Sequence, residues 1–330
     1  MQSLSTYQSY INTELLHKIN NPVYQEPRGL YKPCMYMLKN GGKRVRASLV
    51  LMTAKLFGVD YSKAVDIALA FETFHNFTLI HDDIMDEASI RRGQQTVHVK
   101  WDVNTAILSG DAVMIMAYTF FQESACSTPQ LFSLLNTTAL EVCEGQQYDI
   151  DLEKMSLTDE ALTEDLYIKM IELKTSVLIA ACLKAGAMIA QASIEDADLL
   201  YDFGKNVGIA FQLQDDLLDT YGNEDAFGKQ IGGDIIENKK TYLVIKALQC
   251  LKGADADLLL KLYSDNSVSE TQKAAMVTEL FDKACVREQT ERIVAEYFTK
   301  AESYLDRVSL SHTHKNELYA FMHDLQTRAF

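Results

Sequence analysis

Apolar residues recur along this chain at helical spacing, and the alternation expected of strands is nowhere sustained. The pattern predicts helices over Tyr7–Ile19, Tyr31–Leu38, Ala47–Phe57, Ala64–Met85, Asn104–Glu123, Thr158–Ala190, Leu199–Thr220 and Thr241–Leu251, with the helical period continuing from Thr271 to Phe330. A further helix opens at Thr128-Pro129, an N-cap followed by proline at the first helical position. Ser193-x-x-Asp196 and Ser267-x-x-Glu270 resemble capping boxes. Asn40-Gly41-Gly42 and Gly58 end their helices because these residues tolerate positive φ. Asn20–Lys32 reads as a loop or a helix entry, and Gly222–Lys240 as the longest loop. Asn104–Glu123 is apolar almost all round from Ala112 to Phe121, which implies a central place. The class is all-α, and residues 1–330 read as a single domain.

Composition supports this. No proline follows Pro129, so nothing breaks the later helices. With 48% hydrophobic residues a large core can form. The net charge of −15 excludes the basic footprint that nucleic acid needs. Six scattered cysteines without C-x-x-C read as reduced thiols of a cytoplasmic protein. No apolar run of membrane-spanning length is expected, and residues 1–20 lack the features of a signal peptide.

Two stretches depart from plain patterning. Asp82-Asp83-x-x-Asp86 and Asp215-Asp216-x-x-Asp219 each set D-D-x-x-D in apolar helical sequence. Asp82 and Asp86 share a helix face, as do Asp215 and Asp219. Like charges at that spacing destabilise a helix, and a hard divalent cation such as Mg²⁺, shared with phosphate oxygens, offsets the repulsion. A solvated acidic face is the bland alternative, and the apolar neighbours of both copies disfavour it.

Cations gather elsewhere. Gly41-Gly42-Lys43-Arg44-Val45-Arg46 lies between a helix end and a helix start, where backbone N–H groups favour anions. Arg supplies a planar fork for a diphosphate and Lys a point charge. Arg91-Arg92, Lys174-Thr175, Lys229, Lys239 and Lys240 could be salt-bridge clusters or could bracket a metal-bound diphosphate. His75 lies two turns before Asp82 on the same face, whereas His81 points elsewhere. Zinc, P-loop, serine-hydrolase and dinucleotide signatures are missing. Metal sites, cations and apolar walls suit ionisation of an allylic diphosphate in a water-excluded pocket.

Gly41–Arg46, His75, His81–Asp86, Arg91–Gly93, Leu108–Asp111, Glu144–Gln146, Lys174-Thr175, Phe211–Asp219 and Gly228–Lys240 together resemble the trans-isoprenyl diphosphate synthases, or polyprenyl synthetases. The resemblance implies a helical isoprenoid synthase fold around a large cavity, a homodimer, and head-to-tail condensation of isopentenyl diphosphate with an allylic diphosphate. It implies three Mg²⁺ ions, replaceable by Mn²⁺, on Asp82, Asp86, Asp215 and Asp219, with Asp83 and Asp216 supporting. Asp82, Asp83, Asp86, Asp215 and Lys174 become the catalytic set. Arg91, Lys174, Thr175, Gln212, Lys229 and Lys239 would contact the allylic substrate, and Lys43, Arg46, His75 and Arg92 isopentenyl diphosphate. Ala47 stands where the family often has proline after Arg46.

Chain length is read from the helix before Asp82. Phe77 lies five positions earlier, about 7.5 Å deeper. Similar enzymes use an aromatic there as a floor, so Phe77, with Thr78 and Phe74, points to a C20 product, with C15 or a longer chain as alternatives. A class I terpene cyclase and a non-catalytic subunit of a heteromeric synthase are the rival readings, and both intact aspartate motifs argue against them.

Overall fold

The computed structural model describes residues 4–222, 232–264 and 268–327. The chain gathers into two compact units. The first comprises Met1–Asn136, Ala181–Asp198 and Ser309–Glu317, and the second Thr137–Ala180, Leu199–Val308 and Leu318–Phe330.

In the first unit, α1 (Ser5–Ile19), α2 (Arg28–Lys39), α3 (Val45–Leu56), α4 (Val65–Met85), the short α5 (Val97–Lys100) and α6 (Val103–Glu123) build one core. α4 lies at its centre, packed along α6 and α3. It is apolar on nearly every face, and Ile67, Leu69, Phe71, Phe74, Phe77 and Ile80 are all buried. Gly110 lets α6 come close: a Cβ there would meet the His81 ring at 2.2 Å. α6 turns Ala106, Val113, Ala117 and Phe120 inward but leaves Leu108 58% and Ile115 60% exposed. The all-round apolar run therefore does not mean burial on every side. By length and composition alone α6 could cross a membrane, contrary to the expectation that no such run exists, but its small and aromatic face packs on α4. After α4 the chain forms a hairpin, β1 (Ile90–Arg91) against β2 (Gln94–Gln95), antiparallel. Its two-residue turn, Arg92-Gly93, has positive φ at both positions, as a type I′ turn requires.

The second unit takes up most of α7 (Pro129–Lys154), then α8 (Glu164–Ile171), a π-helical turn over Glu172–Ser176, and the start of α9 (Val177–Ile189). The predicted helix over Thr158–Ala190 is thus divided. Thr163 caps α8, its side chain accepting from the Leu166 amide, so residues 158–162 lie outside it. α10 (Ile194–Tyr221) starts earlier than predicted, capped by Ser193. Thr128 accepts from the Leu131 amide at the start of α7, as its Thr-Pro pair foretold. Within the Gly222–Lys240 stretch one helical turn, α11 (Gly233–Ile236), forms. α12 (Tyr242–Cys250), α13 (Ala254–Ser264), α14 (Glu270–Lys283), α15 (Val286–Arg307) and α16 (His312–Gln326) complete the chain. Ser269 caps α14, and the capping serine expected at Ser267 lies outside the described residues. All six cysteines are free thiols.

Candidate active site

The Gly41–Arg46 loop is held by hydrogen bonds from four other parts of the first unit. Arg44 adopts φ 47, the left-handed region that non-glycine residues rarely enter. Its buried guanidinium donates to the Leu38 carbonyl at 2.7 Å, to Asn12 Oδ1 at 3.0 Å and to Glu72 Oε1 at 3.3 Å. Arg92 Nη1 donates to the Gly41 carbonyl at 2.7 Å, and Gln8 Nε2 to the Gly42 carbonyl at 2.8 Å. Gly42 needs its missing side chain, because a Cβ would sit 2.8 Å from the Arg92 guanidinium. These ties leave a cavity of about 560 Å³ lined by Gln8, Gly42, Lys43, Arg46, His75 and Arg92, among others. The loop, α4 and the hairpin turn thus bring together the four residues expected to hold one diphosphate.

Arg46 Nη1 donates to His75 Nε2 at 3.0 Å, so His75 serves as a neutral acceptor. Burial, and then the charge of Arg46, hold its pKa well below the ordinary histidine value. Arg46 Nε is buried without a hydrogen-bond partner among the described residues. A desolvated, unsatisfied guanidinium donor is costly unless an anion meets it.

Further along α4 stand Asp82 and Asp83, with Asp86 just past the helix end. Arg91 draws the first two together, its Nε 2.6 Å from Asp83 Oδ1 and its Nη2 3.4 Å from Asp82 Oδ2. Arg91 therefore forms the ion pairs that sequence left as one of two options. His81 turns away to the Ile107 carbonyl at 3.2 Å, as expected of it. Phe77 packs edge-on against His81 with centroids 4.9 Å apart, and against Phe74 at 5.5 Å. Thr78 is half-buried, its hydroxyl donating to the His75 carbonyl.

In the second unit, Lys174 and Thr175 sit on the π turn, a local widening common at functional positions. Two glycines admit it: a Cβ on Gly145 would lie 2.2 Å from the Lys174 nitrogen, and one on Gly208 2.7 Å from Ser176. Lys174 Nζ pairs with Asp149 at 2.5 Å. Thr175 donates to Gln212 at 3.5 Å, Gln212 to Asp216 Oδ1 at 3.3 Å, and the Tyr167 hydroxyl to Asp216 Oδ2 at 2.6 Å. Burial pushes the Asp216 carboxyl up, and Asp234 adds to this. Asp219 accepts from the Asp234 amide at 2.9 Å, and Asp215 stays half-exposed on the same α10 face. Lys239 pairs with Glu237 at 3.0 Å and Asp234 at 3.6 Å. Lys229 lies outside the described residues. Arg44, Asp149 and Tyr167 were not singled out from sequence. Only Arg44 had a local signal, its place inside the glycine-rich cationic run.

The donor set can be tested for a divalent cation. It consists of hard carboxylate oxygens, and Asp83 Oδ2 is buried with no hydrogen-bond donor among the described residues. Among those residues no three acidic, imidazole or thiol groups form a complete cage. Hard carboxylate oxygens suit Mg²⁺, which takes one or two carboxylates and completes its shell with water and substrate phosphate.

A family model described as polyprenyl synthetase matches residues 27–280. The chain belongs to the polyprenyl synthetase family. It is a prenyltransferase with the fold of the isoprenyl diphosphate synthases. A geranylgeranyl diphosphate synthase of Methanosarcina mazei is 40% identical, covering 75% of each chain. A geranylgeranyl pyrophosphate synthase of Geoglobus acetivorans is 38% identical over 87% of each. Among solved structures, a geranylgeranyl pyrophosphate synthase superposes with TM-score 0.89 at 41% identity, covering 98% of this chain and 99% of the other. The polyprenyl synthetase match begins at residue 27, so α1 lies outside it.

Proposed function

We propose that this synthetase condenses isopentenyl diphosphate with an allylic diphosphate to give C20 all-trans geranylgeranyl diphosphate. The observation that carries this is the order of residues along α4: His75 at the cationic cavity, Phe77 two residues on and packed against Phe74 and His81, and Asp82 near the helix end. One helix thus supplies an anion site, an apolar stop and a metal motif. The names of the most similar relatives support C20.

Lys43, Arg46, His75 and Arg92 hold the isopentenyl diphosphate. Arg91, Lys174, Thr175, Gln212 and Lys239 would contact the allylic substrate, and the same role is assigned to Lys229 from the sequence resemblance. Asp82, Asp86, Asp215 and Asp219 would hold three Mg²⁺ ions, or Mn²⁺, which withdraw charge from the departing diphosphate when bound. The allylic C–O bond breaks and its electron pair leaves with the diphosphate. Lys174 and Arg91 stabilise the developing negative charge. The double bond of isopentenyl diphosphate then attacks the allylic carbon, and the released diphosphate takes the proton. Phe77, with Phe74 and Thr78, limits growth. Residues 1–330 act as one catalytic domain of a cytoplasmic homodimer, and the exposed apolar face of α6 supports the dimer.

A product assay tests the reading. The purified protein is incubated with Mg²⁺, labelled isopentenyl diphosphate and separate C5, C10 and C15 allylic primers. The expected alcohol after dephosphorylation is C20. A C15 or longer product keeps the chemistry and removes the assigned floor. A cyclic hydrocarbon without isopentenyl incorporation identifies a cyclase, and no turnover with any primer identifies a partner-dependent subunit.

A further inference from the structure

We propose that α1, through Gln8 and Asn12, is a positioning element for the isopentenyl diphosphate loop and sets the affinity for that substrate alone. The inference rests on the reading of Gly41–Arg46 as the isopentenyl diphosphate site. Gln8 and Asn12 lie one helical turn apart on one face of α1 and reach different parts of the loop. Gln8 Nε2 donates to the Gly42 carbonyl at 2.8 Å, and Gln8 also lines the cationic cavity. Asn12 Oδ1 accepts from Arg44 Nε at 3.0 Å, beside the buried Arg44–Glu72 pair.

The electrostatics explain why an amide is needed at each place. The Gly42 carbonyl borders a cavity of cations, and left alone it would present its negative end to an entering diphosphate. The Gln8 amide hydrogen occupies that carbonyl and fixes the peptide's direction. Arg44 sits in a left-handed conformation that is unfavourable for any residue but glycine. Its three acceptors, Asn12, Leu38 and Glu72, hold it there. With residue 44 so fixed, Lys43 and Arg46 on either side point to the cavity. The buried apolar face of α1, formed by Tyr7, Ile11, Leu15 and Ile19, anchors the helix independently of these two amides. Loss of either amide should therefore loosen the loop without loosening α1.

The test uses Gln8→Met, Gln8→Glu and Asn12→Leu in the full chain, with Lys43→Ala as control. Both Gln8 variants keep the side chain's length and lose its donor. Each is expected to raise KM for isopentenyl diphosphate about three- to tenfold, leaving KM for the allylic primer within about twofold. The Gly42–Arg46 amides should exchange hydrogen faster, with an unchanged Tm for the Gln8 variants and a lower Tm for Asn12→Leu, which strands the buried Arg44 Nε. Equal rises in both KM values with a lower Tm would reduce α1 to a stabilising helix and overturn the proposal. Unchanged KM and unchanged exchange would overturn it as well. If Lys43→Ala leaves KM for isopentenyl diphosphate unchanged, the site assignment itself fails, and the exchange data still show whether the two amides hold the loop.

Discussion

Gly145 and Lys174 approach so closely that a single methyl group on residue 145 would sit 2.2 Å from the Lys174 backbone nitrogen. The π turn that carries Lys174 and Thr175 thus depends on a glycine on another helix. Gly145→Ala must displace α7 or the turn, and overpacking of this kind costs about 1–3 kcal/mol. If Lys174 holds the leaving diphosphate as proposed, a displacement near 1 Å costs about a hundredfold in rate. We therefore expect kcat to fall by about that factor and Tm to drop. Gly29→Ala, where nothing lies within 4 Å, should leave kcat unchanged. Steady-state kinetics and thermal melts of both variants decide the matter.

The pH dependence of stability should report on His75. Its folded pKa lies well below the ordinary value, chiefly through burial, so below about pH 6.5 the unfolded chain binds a proton that the folded one refuses. Stability is then lost as pH falls through that range, and His75 contributes no such loss above it. His75→Gln retains an acceptor for Arg46 and cannot take up the proton. Urea midpoints between pH 7.5 and 5 should fall more steeply for the parent than for the variant. Parallel slopes would mean that His75 is protonated in the folded state.

What could be read from sequence, and what could not, follows the range of each interaction. Asp82 with Asp86 and Asp215 with Asp219 are i,i+4 relations, so helix periodicity alone placed each pair on one face. The Thr128-Pro129 start and the Asn40-Gly41-Gly42 stop are equally local. Asp149 meets Lys174 across 25 residues and Glu72 meets Arg44 across 28, and no periodicity reports such partners. The 3.6-residue pattern ran through Thr158–Ala190 because a π turn adds one residue without changing the composition of the apolar face. Ala112–Phe121 misled because an exposed apolar position looks the same in sequence as one facing a core.

Metal dependence should be complete and divided between the motifs. Chelation with EDTA is expected to abolish condensation, and Mg²⁺ or Mn²⁺ to restore it. Asp82→Asn and Asp215→Asn each remove a hard ligand for the cations on the allylic diphosphate, so kcat should fall by about a hundredfold or more. KM for isopentenyl diphosphate should change little, because Lys43, Arg46 and His75 are untouched. A variant that loses isopentenyl affinity instead would exchange the two diphosphate assignments. Full activity in EDTA would refute the metal sites.

The exposed face of α6 gives the proposed dimer a specific test. Leu108 and Ile115, both more than half exposed, lie seven residues apart on one side of the helix. Ile115→Lys places a charge in the middle of that surface, where a covered charge costs several kcal/mol. Sedimentation should show the parent as a dimer and the variant as a monomer. A dimer unaffected by the substitution would shift the interface to another surface.

Product length gives the most direct test of how α4 is used. Phe77 is nearly buried and rests on His81 and Phe74, so its ring is fixed by packing on both sides. Phe77→Ala removes the ring and leaves a cavity that the held neighbours cannot easily fill, and a lengthening prenyl tail is the apolar group able to occupy it. The product should then grow by about one or two five-carbon units, while KM for isopentenyl diphosphate stays within about twofold because the cationic loop is unchanged. Phe74 lies deeper and is fully buried. Phe74→Ala alone should leave the C20 product in place, and the double variant should give longer chains than Phe77→Ala. Thin-layer separation of the dephosphorylated products distinguishes these patterns. If Phe77→Ala is folded and active yet still stops at C20, Phe77 is ordinary core and the stop lies elsewhere in the protein.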